Sequence, residues 1–347
     1  MRLTSRAAMA AAIILVSATV GRAAEVDNLL PKETEFVVQI NVKQLLESDI
    51  VKRVVAAATK KALSGKDAKK FTDGQKLLED LGFDPMKDVE KVTLGIWGTN
   101  KDDGNAIMIA RGAFDAKKIK DAADAAAKET ADKVAIVQEG DLELIKLTGE
   151  DGRPNYIVVV EGKFLISGSD KKFVAAAAAL AVSAEKPKPV LSKELTALVL
   201  KQDAKASLFA CGITTGKFDD IKGDFSPLKA LGVDGDKIKA GIGKMGTFAL
   251  TVSVGKEVGF GLKMGMKDDD SADDFAAEIS KLVTAAKTFL PIASSNQPTL
   301  KNLLDDVAKT LDTTSKDKFV AVTVKVAAES IGDAIGGGGD EEKDKDR

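Results

Sequence analysis

TFALTVSVGKEVGFGLKMGM, residues 247–266, decides how the chain is built. Two β-rich runs flank Gly255-Lys256-Glu257. Apolar side chains recur at alternate positions, Phe248, Leu250, Val252 and Val254 before the turn and Val258, Phe260, Leu262, Met264 and Met266 after it. A period of two marks a strand with one buried face, so the stretch reads as an antiparallel hairpin aimed at one core. The intervening positions are Thr, Ser, Gly and Lys, a face that is solvated or closely approached by another segment.

On the C-terminal side, Asp273 is positioned to cap a helix carrying Phe275, Ile279, Leu282, Val283 and Ala286. A second helix after Pro298 carries Leu300, Leu303, Leu304, Val307 and Leu311, and FVAVTVKV (319–326) closes the fold. Both apolar stripes have the 3.6-residue period of a helix lying on a sheet. On the N-terminal side, helical SKELTALVLKQ and the strand SLFACGI lead to LKALGVD, where Gly232 stops a helix.

The first half repeats this order. FVVQINV is a strand, Leu46, Ile50, Val54 and Ala58 form a helix stripe, and LLEDLGFDPMKDV stops a helix at Gly82. Strands VTLGIWG and NAIMIARG flank the turn NKDDG, and Asp115 caps a helix with Ile119, Ala123 and Ala126 inward. Three further β-like runs, KVAIVQ, LELIKL and YIVVVEGKFLISGS, precede an Ala-rich helix that starts at Ser169 or Asp170. LEDLGFD and LKALGVD match, and each precedes a hairpin and an acid-capped helix. The expected fold class is therefore α+β, as two related α+β units with mainly antiparallel sheets covered by helices on one face. The first unit spans residues 24–184, the linker EKPKPV residues 185–190 and the second unit residues 191–335, with a disordered Gly/acidic tail at 336–347.

The amino terminus carries Arg2 and Arg6, an apolar run from Ala7 to Val20, and Gly21-Arg22-Ala23 before Ala24. This is the order of a secretory signal peptide, residues 1–23, and the run is shorter than the roughly 20 residues that span a bilayer. The expectation is export to the periplasm or exterior, with no transmembrane anchor after cleavage. Losing Arg2, Arg6 and Arg22 would take the formal charge from −2 to −5, which does not favour nucleic-acid binding. The single cysteine, Cys211, forms no intramolecular disulfide and reads as a buried thiol in SLFACGI. With no histidine, imidazole bases, His metal ligands and Ser-His-Asp triads are excluded.

The segments LLPKETEFVVQINVKQLLESDIVKR, LLEDLGFDPMKDVEKVTLGIWG and IMIARGAFDAKKI resemble a family of exported bacterial proteins of unknown function. That family's pattern runs "LP..T..VV.VNV..LL.S", "LG.DP..DV..V" and "RG.FD", and it is clearest over residues 29–119. The resemblance brings no activity, cofactor or site residue with it.

Three motifs suggest chemistry. AGIGKMGTFAL places Gly241, Gly243 and Gly246 in the GxGxxG spacing, but a phosphate cradle needs a strand before it and a helix after it. Here a strand follows, so Gly241 and Gly246 are expected in loop or strand-end positions, with Thr247 opening the strand. Ser169 and Lys172 have SxxK spacing without the companion motifs of the acyl-transfer families, and Ser169 reads as a helix cap. Asp268, Asp269, Asp270, Asp273 and Asp274 lack the alternation, central glycine and late glutamate of a calcium loop. They are assigned to a helix amino terminus, with a weak surface calcium site as the alternative.

No catalytic residue, cofactor or metal site is assigned. The expected function is an exported, non-catalytic binding or cell-envelope-associated protein with an unknown protein or small-molecule partner. The alternatives are a hydrolase using Asp/Glu or Ser169/Lys172 chemistry, or a carrier enclosing an apolar ligand among Phe260, Met264 and Phe275.

Overall fold

The computed structural model describes residues 23–64, 83–98, 104–183, 190–218, 221 and 223–336. Residues 1–22 of the signal peptide, the helix stop at Gly82, the turn NKDDG up to Asp103, the linker up to Pro189 and the tail beyond Gly336 lie outside the described residues, and Gly336, expected in the disordered tail, ends a helix instead.

The first half comprises β1 (Phe36–Ile40), α1 (Val42–Glu47), α2 (Asp49–Ser64), α3 (Pro85–Asp88), β2 (Val89–Trp97), β3 (Asn105–Gly112), α4 (Ala116–Glu129), β4 (Val134–Glu139), β5 (Leu142–Thr148), β6 (Pro154–Val160), β7 (Phe164–Gly168) and α5 (Lys171–Val182). The second comprises α6 (Lys193–Leu200), β8 (Leu208–Ile213), a 3-10 turn at Ser226–Leu231, α7 (Gly235–Gly243), β9 (Met245–Val254), β10 (Glu257–Met266), α8 (Asp269–Asn296), α9 (Lys301–Thr310), β11 (Asp312–Lys316), β12 (Phe319–Ala327) and α10 (Ala328–Gly336). The fold is α+β. Where two sheets were expected, the strands form one antiparallel sheet of twelve, ordered β11-β12-β10-β9-β8-β1-β2-β3-β7-β6-β5-β4.

The halves join along β1 and β8, where Val38 faces Ala210. Outward from that pair, β1-β2-β3 on one side corresponds in order to β8-β9-β10 on the other. Asp84 caps α3 before the first hairpin and Asp234 caps α7 before the second, each accepting backbone N–H bonds from the first turn. Asp115 caps α4 through Lys118 N, as expected. The cap of α8 is Asp268, bonded to Ser271 N at 2.8 Å, rather than Asp273. The extended backbone of Asp268 lets its carboxylate reach forward three residues, and Asp273 is already inside the helix. Helix α8 also continues through Pro291 to Asn296 on an exposed stretch, where the carbonyl freed by proline can be solvated.

Cross-strand partners share a face. One row, Thr314, Ala321, Lys263, Ala249, Cys211, Val37, Gly95, Ile107, Gly168, Tyr156, Lys146 and Ala135, therefore crosses the whole sheet on a single side. Over the middle and the first half this side is the main core. Ile107, Ile109, Leu144 and Ile166 are fully buried there against Val174 and Ala177 of α5 and Leu195 and Val199 of α6. Residues 24–30 also enter this core through Ala24, Val26, Leu29 and Leu30, and Leu30 occupies the space that a side chain at Gly95 would need. The opposite side holds two cores. Val89, Ala110 and Phe114 pack with Ile119 of α4, and Met264, Met266 and Val320 pack with Ala272 and Phe275 of α8. In the first half, then, helices lie on both faces rather than one.

The hairpin at 247–266 forms in the expected register, with Val254 opposite Val258 and Leu250 opposite Leu262. It opens at Met245, two residues before Thr247. Phe260 departs from the expected core: its alternation is correct, but it lies outside the cluster under α8 and is 42% exposed.

Candidate functional site

On the row described above, burial stops at Lys263. Ala249 is 7% exposed beneath α6, whereas Lys263, its neighbour on β10, is exposed. Here the Thr/Gly/Lys face of the hairpin borders a groove of about 310 Å³. Thr247, Ala249 and Thr251 come from β9, Gly261, Lys263 and Gly265 from β10, and Phe319, Ala321 and Thr323 from β12. Leu198 of α6, with Lys201 and Gln202 just past its end, forms the wall.

Each part has a local cause. FVAVTVKV alternates, so Phe319 points away from the core occupied by Val320 and Val322 and onto the groove face. There it lies directly across from Gly265. Two ammonium groups approach its ring, Lys263 Nζ at 4.3 Å and Lys201 Nζ at 5.8 Å from the centroid. Among the described residues neither lysine forms an ion pair, whereas Lys117, Lys171, Lys217 and Lys301 all do. Among the described residues that line the groove, none is acidic. Gln202 is 8% exposed; its Nε2 donates to Leu198 O at 2.7 Å and its Oε1 accepts from Thr251 Oγ1 at 3.1 Å. The Gln202 carbonyl also accepts from Ala24 N at 2.9 Å, tying the groove wall to the segment that follows the expected cleavage site. Gly261 leaves the floor open, since a Cβ there would meet only Thr323 Cγ2 at 4.0 Å.

A wider recess, about 710 Å³, lies at the start of α7. Its lining mixes Asp224, Asp234 and Asp236 with Lys229, Lys239 and Lys281. These charges are largely engaged locally: Asp234 caps α7, and Lys281 Nζ donates to Glu278 Oε1 at 2.8 Å. That bond and the Asp234 N–H hold the Glu278 carboxyl below its ordinary pKa.

The sequence-derived candidates do not converge on either site. Gly241 and Gly243 lie inside α7, not in a loop, and Gly246 lies in β9. The correction has a packing cause: a side chain at Gly241 would collide with the Phe275 ring, so glycine permits the close approach of α7 and α8. The order remains helix before strand, the reverse of a phosphate cradle. Ser169 is not the cap of α5; Asp170 is, through Lys172 N at 2.8 Å. Ser169 Oγ instead donates to Asn105 Oδ1 and accepts from Ala106 N, each at 3.2 Å, which joins the start of β3 to the end of β7. Met264 and Phe275 are packed core residues, while Phe260 is at the surface, so these three enclose no common cavity. Among the described residues no group of three or more acidic or cysteine side chains is placed to hold a metal ion. Cys211 is buried, and burial pushes its pKa up to about 12.

The residues that floor the groove are recognisable in the sequence as the Thr, Ser, Gly and Lys face of the hairpin, but nothing in the sequence marks a groove there. Gly259, Gly261 and Gly265 alternate with apolar residues around Lys263, and that pattern was legible. Lys201 and Gln202 carried no local signal, because they reach the groove from a helix end distant in sequence. Compared with protein-family models, curated proteins and solved structures, the chain matches none of them.

Proposed function

We propose that the protein is an exported, non-catalytic binding protein of the periplasm or exterior, which takes a small ligand in the groove between the end of α6 and the β9-β10-β12 face. The observation that carries this reading is the combination of an open glycine floor, an aromatic wall and two lysines that have no acidic partner among the described residues, where the main core face gives way to solvent at Lys263. The basic, apolar, small-residue order of residues 1–23 supports export. No helix among the described residues is long and apolar enough to cross a membrane.

The test is native mass spectrometry of the full chain, expressed with its own leader and recovered from the exported fraction. The expected result is a chain beginning at Ala24 that carries a bound small molecule, with the bound mass lost in Gly261→Val. A wild-type chain without bound mass, or a bound mass retained in Gly261→Val, overturns the groove as binding site. A chain retained inside the cell with residues 1–23 intact overturns export.

A further inference from the structure

Resting on that reading, we infer the class of ligand: a small organic carboxylate with an apolar body, its charged end between Lys201 and Lys263 and its body over Phe319 and the Gly261 floor. The charge of the groove argues for an anion. Two ammonium groups converge on one ring, within 4.3 and 5.8 Å of its centroid, and no carboxylate among the described residues lines the space. Both lysines bring positive charge to the same ring, and an anion within reach of the two gains two attractions. The rest of the wall argues for an apolar body, since Leu198, Ala249, Ala321 and the face of Phe319 offer carbon, and the Thr251 hydroxyl already donates to Gln202.

The donor set argues for a singly charged carboxylate over a phosphate. Phosphate sites collect free backbone N–H groups from a helix amino terminus or a nest. Here β9, β10 and β12 are each paired on both sides, so their amides are engaged in the ladder. Helix α6 presents its carboxyl end to the groove, the end whose carbonyl dipoles disfavour concentrated negative charge. What remains for an anion is two lysine side chains and the hydroxyls of Thr247 and Thr323. At about 310 Å³ the groove is near the lower end of the roughly 300–1,000 Å³ typical of small-molecule sites, which favours a compact ligand over a polymer.

The experiment is calorimetric titration of the full chain with three probes: octanoate, octanol and inorganic phosphate. Octanoate is expected to bind about tenfold more tightly than octanol, the size of effect that two solvent-exposed ion pairs supply, and phosphate is expected not to bind. In Lys201→Gln/Lys263→Gln the octanoate affinity falls to that of octanol. In Gly261→Val both alkyl probes lose binding while the unfolding temperature stays at the wild-type value, because valine suits a strand and its Cβ enters open space. Octanol binding as tightly as octanoate, phosphate binding more tightly than either, or no binding of octanoate overturns the carboxylate assignment. The wider reading survives each of those results if the chain from the cell still carries a molecule that Gly261→Val expels, so the two failures are distinguishable.

Discussion

Phe319 lies across the strand pair from Gly265, so close that a Cβ on Gly265 would stand 3.1 Å from Phe319 Cε1 and would also collide with the Thr247 hydroxyl. Glycine lets the ring cover the strand backbone and forms the aromatic wall of the groove. Gly265→Ala is therefore expected to displace Phe319 and to destabilise the fold by about 1–3 kcal/mol, the usual cost of overpacking. Gly261→Ala, two residues earlier on the same face, enters open space and should change stability by no more than about 0.5 kcal/mol. Urea midpoints at constant m-value check both. Equal behaviour of the two variants would mean that Phe319 is not held by Gly265.

Gly241 offers a contest between local and tertiary effects. Alanine is favoured over glycine in a helix interior by about 1 kcal/mol, but at this position the new methyl group meets the buried Phe275 ring. Overpacking of about 1–3 kcal/mol should win, so Gly241→Ala is expected to lower the urea midpoint. Gly241→Ala/Phe275→Leu should recover part of the Gly241→Ala loss relative to Phe275→Leu alone, a coupling that a double-mutant cycle measures.

Asp27 is the buried charge of the amino-terminal segment, with its side chain 2% exposed and Oδ1 2.8 Å from Arg111 Nη2. Arg111 in turn lies 4.8 Å from the centroid of the Phe164 ring. Removing the arginine takes away the hydrogen-bonded cation and leaves Asp27 only the longer-range attraction of Lys91, so Arg111→Met should destabilise the fold, whereas Asp27→Leu/Arg111→Met should cost less than the sum of the single changes. Thermal unfolding of the three variants tests this. A fully additive pair would show that the contact carries no coupling.

Much of this architecture was legible because it is local. Alternation fixed the register of β9 and β10, and turn and cap residues located Asp115 and the helix stop at Gly232. The union of two expected sheets into one was not legible. The β1–β8 pairing depends on contacts between distant segments, and its plainest trace is that Phe36 lies opposite Gly212 with its ring where a Gly212 side chain would be. The Gly241 spacing misled for a similar reason, since its cause is the Phe275 ring and not a turn. The groove was half visible: Lys263 and the glycines sit in a readable alternation, but Lys201 joins them only through the path of α6.

Glu278 predicts the direction of one pH effect. The Lys281 ammonium and the Asp234 backbone N–H lower its folded-state pKa below the unfolded value of about 4.3. Its contribution to stability is thus fully present above that pH and is lost as the pH falls towards the folded pKa. Between about pH 5 and pH 3, Glu278→Gln should lose less stability on acidification than the wild type. Asp84, Asp224, Asp268 and Asp305, also lowered by their hydrogen bonds, remain in both proteins, so the difference isolates Glu278. Parallel urea midpoints across this range would sink the assignment.

Cys211 turns the join between the halves into something measurable. It lies on β8 between Val37 of β1 and Ala249 of β9, is fully buried, and has its thiol pKa pushed up to about 12. At pH 8 the buried thiol therefore stays protonated, and the thiolate is the species that reacts. A disulfide reagent should therefore leave the native protein unlabelled over the minutes in which it modifies the urea-unfolded chain at one equivalent. Slow native labelling should follow the global unfolding free energy, because the main core that covers this face of β8, with Leu195 and Val199 of α6, must open to expose the sulfur. Labelling that is much faster than global unfolding, and insensitive to low denaturant, would mean that the core covering β8 opens locally while the rest of the sheet stays folded.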